Sequence, residues 1–95
     1  MKTAYFVTTI RKNFQCRTVG WYSELKDAEE CVEKNYCDIY EDGYYPFAVI
    51  EEVKEGIYPI PGESEQWYEW DKSKEQYIKC EKPEFFKNCV NFAIG

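Results

Sequence analysis

The stretch Ser23-Glu24-Leu25-Lys26-Asp27-Ala28-Glu29-Glu30-Cys31-Val32-Glu33-Lys34-Asn35-Tyr36 decides the fold. Leu25, Ala28, Cys31, Val32 and Tyr36 recur at spacings of three and four, which sets them on one apolar stripe of an amphipathic helix. Ser23 stands where an N-cap is needed, and Glu24 puts an acid in the first turn, where the helix dipole favours it. Glu30 and Lys34 form an i,i+4 pair on the wet side, and Asn35 is a natural stop. The pattern predicts a helix over residues 24–35. One helix cannot bury such a stripe alone, so it requires a sheet to lie on.

The strands for that sheet flank the helix. Thr3–Ile10 alternates Ala4, Phe6, Thr8 and Ile10 against Tyr5, Val7 and Thr9, and it is rich in β-branched and aromatic types. Cys16–Tyr22 resumes after a polar break, so the two read as a hairpin, with Gly20 marking a bulge or a close approach. After a loop turning at Asp42-Gly43, residues 47–53 place Phe47, Val49 and Val53 on one face and Ala48 and Ile50 on the other. That is the pattern of a central strand covered on both sides. Residues 57–61 read as an extended edge segment restricted by two prolines. Residues 67–70 and Gln76–Cys80 suggest a second hairpin, and Pro83-Glu84 opens a short C-terminal helix. The apolar tail is expected to dock on the body. The expectation is a single α+β domain over residues 1–95: an antiparallel sheet of four to five strands, one main helix on one face, and a short C-terminal helix. Leu25, Ala28, Cys31 and Val32 should face the sheet, with Val49 and Trp21 beneath them.

Composition narrows the function classes. The chain has no histidine, five scattered glycines and five cysteines without a Cys-x-x-Cys pair. A thiol nucleophile normally needs a histidine base, so cysteine catalysis and a serine triad lack a partner. A phosphate loop and a zinc knuckle lack their spacing. Carboxylate pairs such as Glu51-Glu52 or Glu63/Glu65 remain formal acid–base candidates, but an acidic chain sets carboxylates side by side by chance. The reading is a non-enzyme with no cofactor and no metal. No run of about 18 apolar residues spans a membrane, and the N-terminus lacks a secretory pattern, so a cytoplasmic protein with reduced thiols is expected.

Charge is uneven. Residues 1–22 carry a net +4, residues 23–71 a net −12 and residues 72–95 a net +2, within a total of −6. Such a balance argues against direct nucleic-acid binding, which needs clustered cations. Rings are abundant, with nine Tyr, six Phe and three Trp, and two segments interleave them with acids. The binding residues expected from these segments are Asp38, Glu41, Asp42, Tyr44 and Tyr45 in the first and Glu63, Glu65 and Trp67 in the second. Aromatic anchors beside carboxylates suit a partner with a basic surface. The competing reading is that the same rings fill the core.

Several phrases carry a resemblance: Arg17-Thr18-Val19-Gly20-Trp21-Tyr22 before Leu25-Lys26-Asp27-Ala28-Glu29-Glu30, then Cys37-Asp38-Ile39-Tyr40-Glu41. Ala48-Val49-Ile50-Glu51-Glu52-Val53-Lys54-Glu55-Gly56-Ile57-Tyr58-Pro59 and Asn91-Phe92-Ala93-Ile94-Gly95 complete it. Over most of its length the chain resembles a loose group of small proteins, of no assigned activity, from Firmicutes genomes, their phages and mobile elements. The resemblance implies a habitat and no mechanism. By analogy with anti-CRISPR proteins it suggests an inhibitor of host defence, acting by covering a basic, nucleic-acid-binding surface of a host protein. The alternative is a nucleotide-like ligand stacked on rings, with Arg11, Lys12 or Arg17 holding phosphate.

Overall fold

Alternating β-branched and aromatic residues build the first hairpin, β1 (Thr3–Ile10) and β2 (Cys16–Tyr22). This is a computed structural model, and it describes residues 2–56, 64–89 and 91–93. The helix α1 (Leu25–Glu33) follows, then two 3₁₀ turns (Tyr36–Asp38 and Glu41–Gly43), β3 (Phe47–Lys54), β4 (Glu65–Asp71), β5 (Gln76–Cys80) and a last 3₁₀ turn (Glu84–Phe86). The strands form one five-stranded antiparallel sheet in the order β2-β1-β3-β4-β5, so β3 is central as its two apolar faces require. The expected segment at residues 57–61, and Glu63, lie outside the described residues.

Each face of the sheet has its own core. Under α1, Ala28, Cys31 and Val32 meet Val7, Ala48, Ile50, Tyr68 and Tyr77, with Leu25 half-buried at the margin. On the second face, Ile10, Phe47, Val49 and Trp67 are covered by Phe86 and Phe92 of the C-terminal segment. The sequence reading placed Val49 and Trp21 beneath α1, and both lie on the second face instead. Val49 alternates away from Ala48 and Ile50, and Trp21 pairs with Phe6 across the hairpin, 62% exposed. The register shifts between the Val7–Gly20 and Thr8–Thr18 pairs, so Val19 is the extra residue of a bulge beside Gly20, and of the two readings of that glycine it is the bulge that the structure shows.

The helix is shorter than expected. Glu24, not Ser23, occupies the N-cap, and its side chain makes no capping hydrogen bond. At the other end Asn35 turns left-handed (φ 50°), which directs the chain out of the helix one residue after the Lys34 cap. The C-terminal helix is reduced to a single 3₁₀ turn. Pro83 sits before it in an extended conformation (φ −59°, ψ 142°) rather than inside its first turn. Asp71 closes the β4–β5 hairpin by accepting from the Ser73 N–H at 2.9 Å and the Lys74 N–H at 3.2 Å, an Asx turn.

Glu51 ties the C-terminal segment to the sheet. It is 5% exposed, and its two oxygens accept the Phe92 N–H at 2.9 Å and the Ala93 N–H at 3.0 Å. Burial pushes its carboxyl above the ordinary value, against these two hydrogen bonds and Lys82, with Glu65 adding to the rise. Cys16 also faces it, and its own thiol is raised by burial and then by Glu51. A raised folded-state value means that the protonated form favours the fold. That contribution is complete below the unfolded carboxyl value and is lost as pH rises through the folded one. Glu51→Gln removes this ionisation, so its stability relative to the parent should rise between pH 4 and pH 8, measured by urea unfolding. A difference that is flat with pH would mean the carboxylate is not strained by burial.

Candidate functional site

The acidic residues separate into two places, divided by the sheet. Asp38, Glu41 and Asp42 lie in the 3₁₀ turns after α1, on the helix side, where Ile39 inserts into the core. Glu65 opens β4 on the second face, where its carboxylate accepts the Trp67 Nε1–H at 3.0 Å and pairs with Lys82 at 3.2 Å. One continuous face holding both segments is therefore not formed, because side chains of β4 alternate and Glu65 falls on the side opposite α1.

The rings also divide. Tyr44 is exposed, but Tyr45 is 9% and Trp67 3% exposed, so these two expected anchors are core residues. Trp67 stacks on Phe86 at 5.3 Å, and the Tyr45 carbonyl accepts the hydroxyl of buried Tyr77. Both belong to packed layers whose removal would cost the fold first.

The cations of the alternative reading are engaged internally. Arg17 bridges Glu41 at 2.8 Å, donates to the Ile39 carbonyl at 3.2 Å and lies over the Tyr45 ring at 4.5 Å. Arg11 covers Tyr44 and Tyr45 and donates to Gln15 at 3.2 Å. The two guanidinium groups fasten the 3₁₀ segment to the first hairpin by cation–π contacts and one ion pair, the latter half-exposed and worth about 0–1 kcal/mol. The Lys12 side chain is exposed at the hairpin turn.

Around this framework the helix layer emerges as the charged surface. Residues 24–42 carry eight carboxylates (Glu24, Asp27, Glu29, Glu30, Glu33, Asp38, Glu41 and Asp42) against Lys26 and Lys34, a net of −6. Residues 43–71 carry a further −6, offset by the +4 of residues 1–22 and the +2 of residues 72–95, so this layer is one of two acidic stretches and the one gathered on a single helix and the turns that follow it. Glu24, Asp27, Glu30, Glu33, Asp38 and Asp42 are exposed, as is Tyr36, whose hydroxyl bonds Glu30. No family model matches the chain. No curated protein and no solved structure gives a match either. Function therefore has to be argued from this geometry.

Two groups were missed in the sequence reading. Glu51 and Glu65 are direct partners across β3 and β4, with Lys82 beside them. The two acids are fourteen positions apart in the sequence, and only the β3–β4 register brings them together. Both are spoken for: Glu51 holds the tail, while Lys82 bridges Glu65 and the Cys89 carbonyl at 2.7 Å. The acidic α1 surface was overlooked in favour of the loops, although the spacing of Glu24, Asp27, Glu30 and Glu33 away from the apolar stripe was its signal. Among the described residues, no three metal-ligating side chains gather as a metal site would require.

All five cysteines are free, with Cys31 buried and Cys16 and Cys37 exposed. Thiol titration in denaturant should return five groups. In the native protein Cys37 should react first, since burial raises the thiol values of Cys16, Cys31 and Cys80 and so lowers their thiolate fraction. Rapid modification of Cys31 without unfolding would contradict the packing of α1.

Proposed function

We propose that the protein is a non-enzymatic binding module that docks its helix layer on a basic surface of a partner protein. The observation that carries this reading is the concentration of eight carboxylates against two lysines in residues 24–42, a net of −6 on one layer of the fold. A local field of this kind steers encounter and sets orientation, and it repels nucleic acid. Exposed Tyr36 and Tyr44 give the layer apolar contacts once docked. The surface that best complements it is one built for phosphate. Together with the resemblance to small Firmicutes and phage proteins, that makes the partner a nucleic-acid-binding host protein and the action inhibition by occupancy, as for a host-defence inhibitor. The Arg-based nucleotide site is the weaker alternative, because Arg11 and Arg17 already hold Tyr45 and Glu41.

Affinity capture from a Firmicutes lysate tests the reading, run beside a Glu24→Lys/Asp27→Lys/Glu33→Lys variant that brings the net charge to zero. The expected result is a basic protein retained by the parent chain, released by about 0.5 M salt, where the Debye length falls to a few ångströms, and not retained by the variant. Retention of the same protein by both forms, or of nothing by either, would overturn it.

A further inference from the structure

One cluster of side chains ties the C-terminal segment that follows Lys82 to the second face of the sheet. Glu51 accepts the Phe92 and Ala93 N–H groups, Lys82 donates to the Cys89 carbonyl, and the Cys16 thiol donates to the Phe92 carbonyl at 3.8 Å. Among the described residues, these three supply every hydrogen bond that the segment makes with a side chain outside it. Glu65 stands opposite Glu51 in the ladder and pairs with Lys82. Its side chain is only 9% exposed, and its Oε2 is buried without a partner. From β1 the ladder partner of Glu51 is Phe6, which brings no charge. Beneath the closed segment, two carboxylates therefore share one ammonium group and little water.

We propose that this cluster is a proton-operated latch, which holds the C-terminal segment most firmly while the carboxylate pair keeps a proton and releases it more readily as pH rises. Closure and burial are one event here, because lifting the segment both breaks the ties and wets Glu51. Two opposed carboxylates in a dry site do not both ionise freely, and the proton they retain belongs to the pair. In the closed form burial outweighs the two N–H bonds and lifts Glu51 above its ordinary value, so that form binds the more protons. The contribution to closure is complete below the ordinary carboxyl range and is lost as pH rises through the raised value. Cys16 adds no charge in this window, since burial and then Glu51 raise its thiol. Release uncovers Ile10, Phe47, Val49 and Trp67, an apolar surface that the closed segment withholds.

Amide hydrogen exchange of the intact chain, read residue by residue between pH 5 and pH 8 and corrected for the intrinsic effect of pH, tests the latch. The Phe92 and Ala93 amides should be less protected than those of β1 and β3 at every pH, because the segment opens without the sheet. Their protection should fall as pH rises, by up to ~tenfold per pH unit where opening releases one proton. Glu51→Gln should make that profile flat. Glu65→Gln keeps both N–H bonds to Glu51 but removes the facing charge, so the fall should move to lower pH. Protection at Phe92 and Ala93 that is constant or rises with pH in the parent chain would overturn the proposal. So would a slope that survives Glu51→Gln, a fall that Glu65→Gln leaves in place, or protection equal to that of β1 and β3, which would mean that the segment opens only when the whole fold does.

Discussion

Phe86→Ala should lower the stability of the protein by about 3–5 kcal/mol, a large share of the roughly 5–15 kcal/mol that holds a domain together. Phe86 is fully buried. It stacks on Trp67 at an interplanar angle of 18° and meets Phe47 edge-on at 5.4 Å. It is also the residue by which the C-terminal segment grips the second face, alongside Phe92 and the Glu51 clasp. Truncation leaves a cavity against three rings and loosens the cover over Trp67. In a chain of this length each kcal/mol moves Tm by about 4–8 °C, so the fall should be on the order of 12–40 °C. Trp67 emission should move to longer wavelength as water reaches the indole. A Tm lowered by only about 3 °C or less would show that the C-terminal segment is an accessory and that the second core stands without it.

The other large effect concerns association. Glu24→Lys, Asp27→Lys and Glu33→Lys together should slow association with the captured partner by about 10- to 1,000-fold, the range that electrostatic steering supplies. The substituted side chains are exposed, and among the described residues none of them takes part in an ion pair. Placing lysine near the start of α1 costs about 0.3–1 kcal/mol at each of the two N-terminal sites through the helix dipole. The melting temperature should therefore fall only modestly while the rate collapses. Dissociation should change less, because rim charges act mainly on encounter.

The architecture was readable because its signals are periodic. The stripe from Leu25 to Val32, the alternation through β1 and the two-sided apolar run of β3 each name their element, and together they require a sheet with α1 on one face. The face itself was not readable. Phe47-Ala48-Val49-Ile50 is apolar on both sides, so the pattern does not say which side meets the helix, and Val49 was assigned to the wrong one. The tail was expected to dock and does so through Phe92, but the face it covers and the part played by Phe86 were not readable. Phe86 follows Pro83 in one 3₁₀ turn, too short for any periodicity to show. Trp67 and Tyr45 looked like anchors because acids flank them. Glu65 proves to be the hydrogen-bond partner that lets the Trp67 indole be buried, and Glu41 is held by Arg17, the same guanidinium that covers Tyr45. Cross-strand register, which pairs Glu51 with Glu65, comes from the folded ladder alone. The charge of the helix layer, by contrast, was fully present in the sequence once the helix was drawn.

The most direct test of the account is competition on the purified partner between this protein and the nucleic acid that the partner binds. If the helix layer occupies the basic surface, the two should displace one another one for one, and raising salt should weaken both. A ternary complex, in which the partner holds its nucleic acid and this protein together at undiminished affinity, would contradict the account.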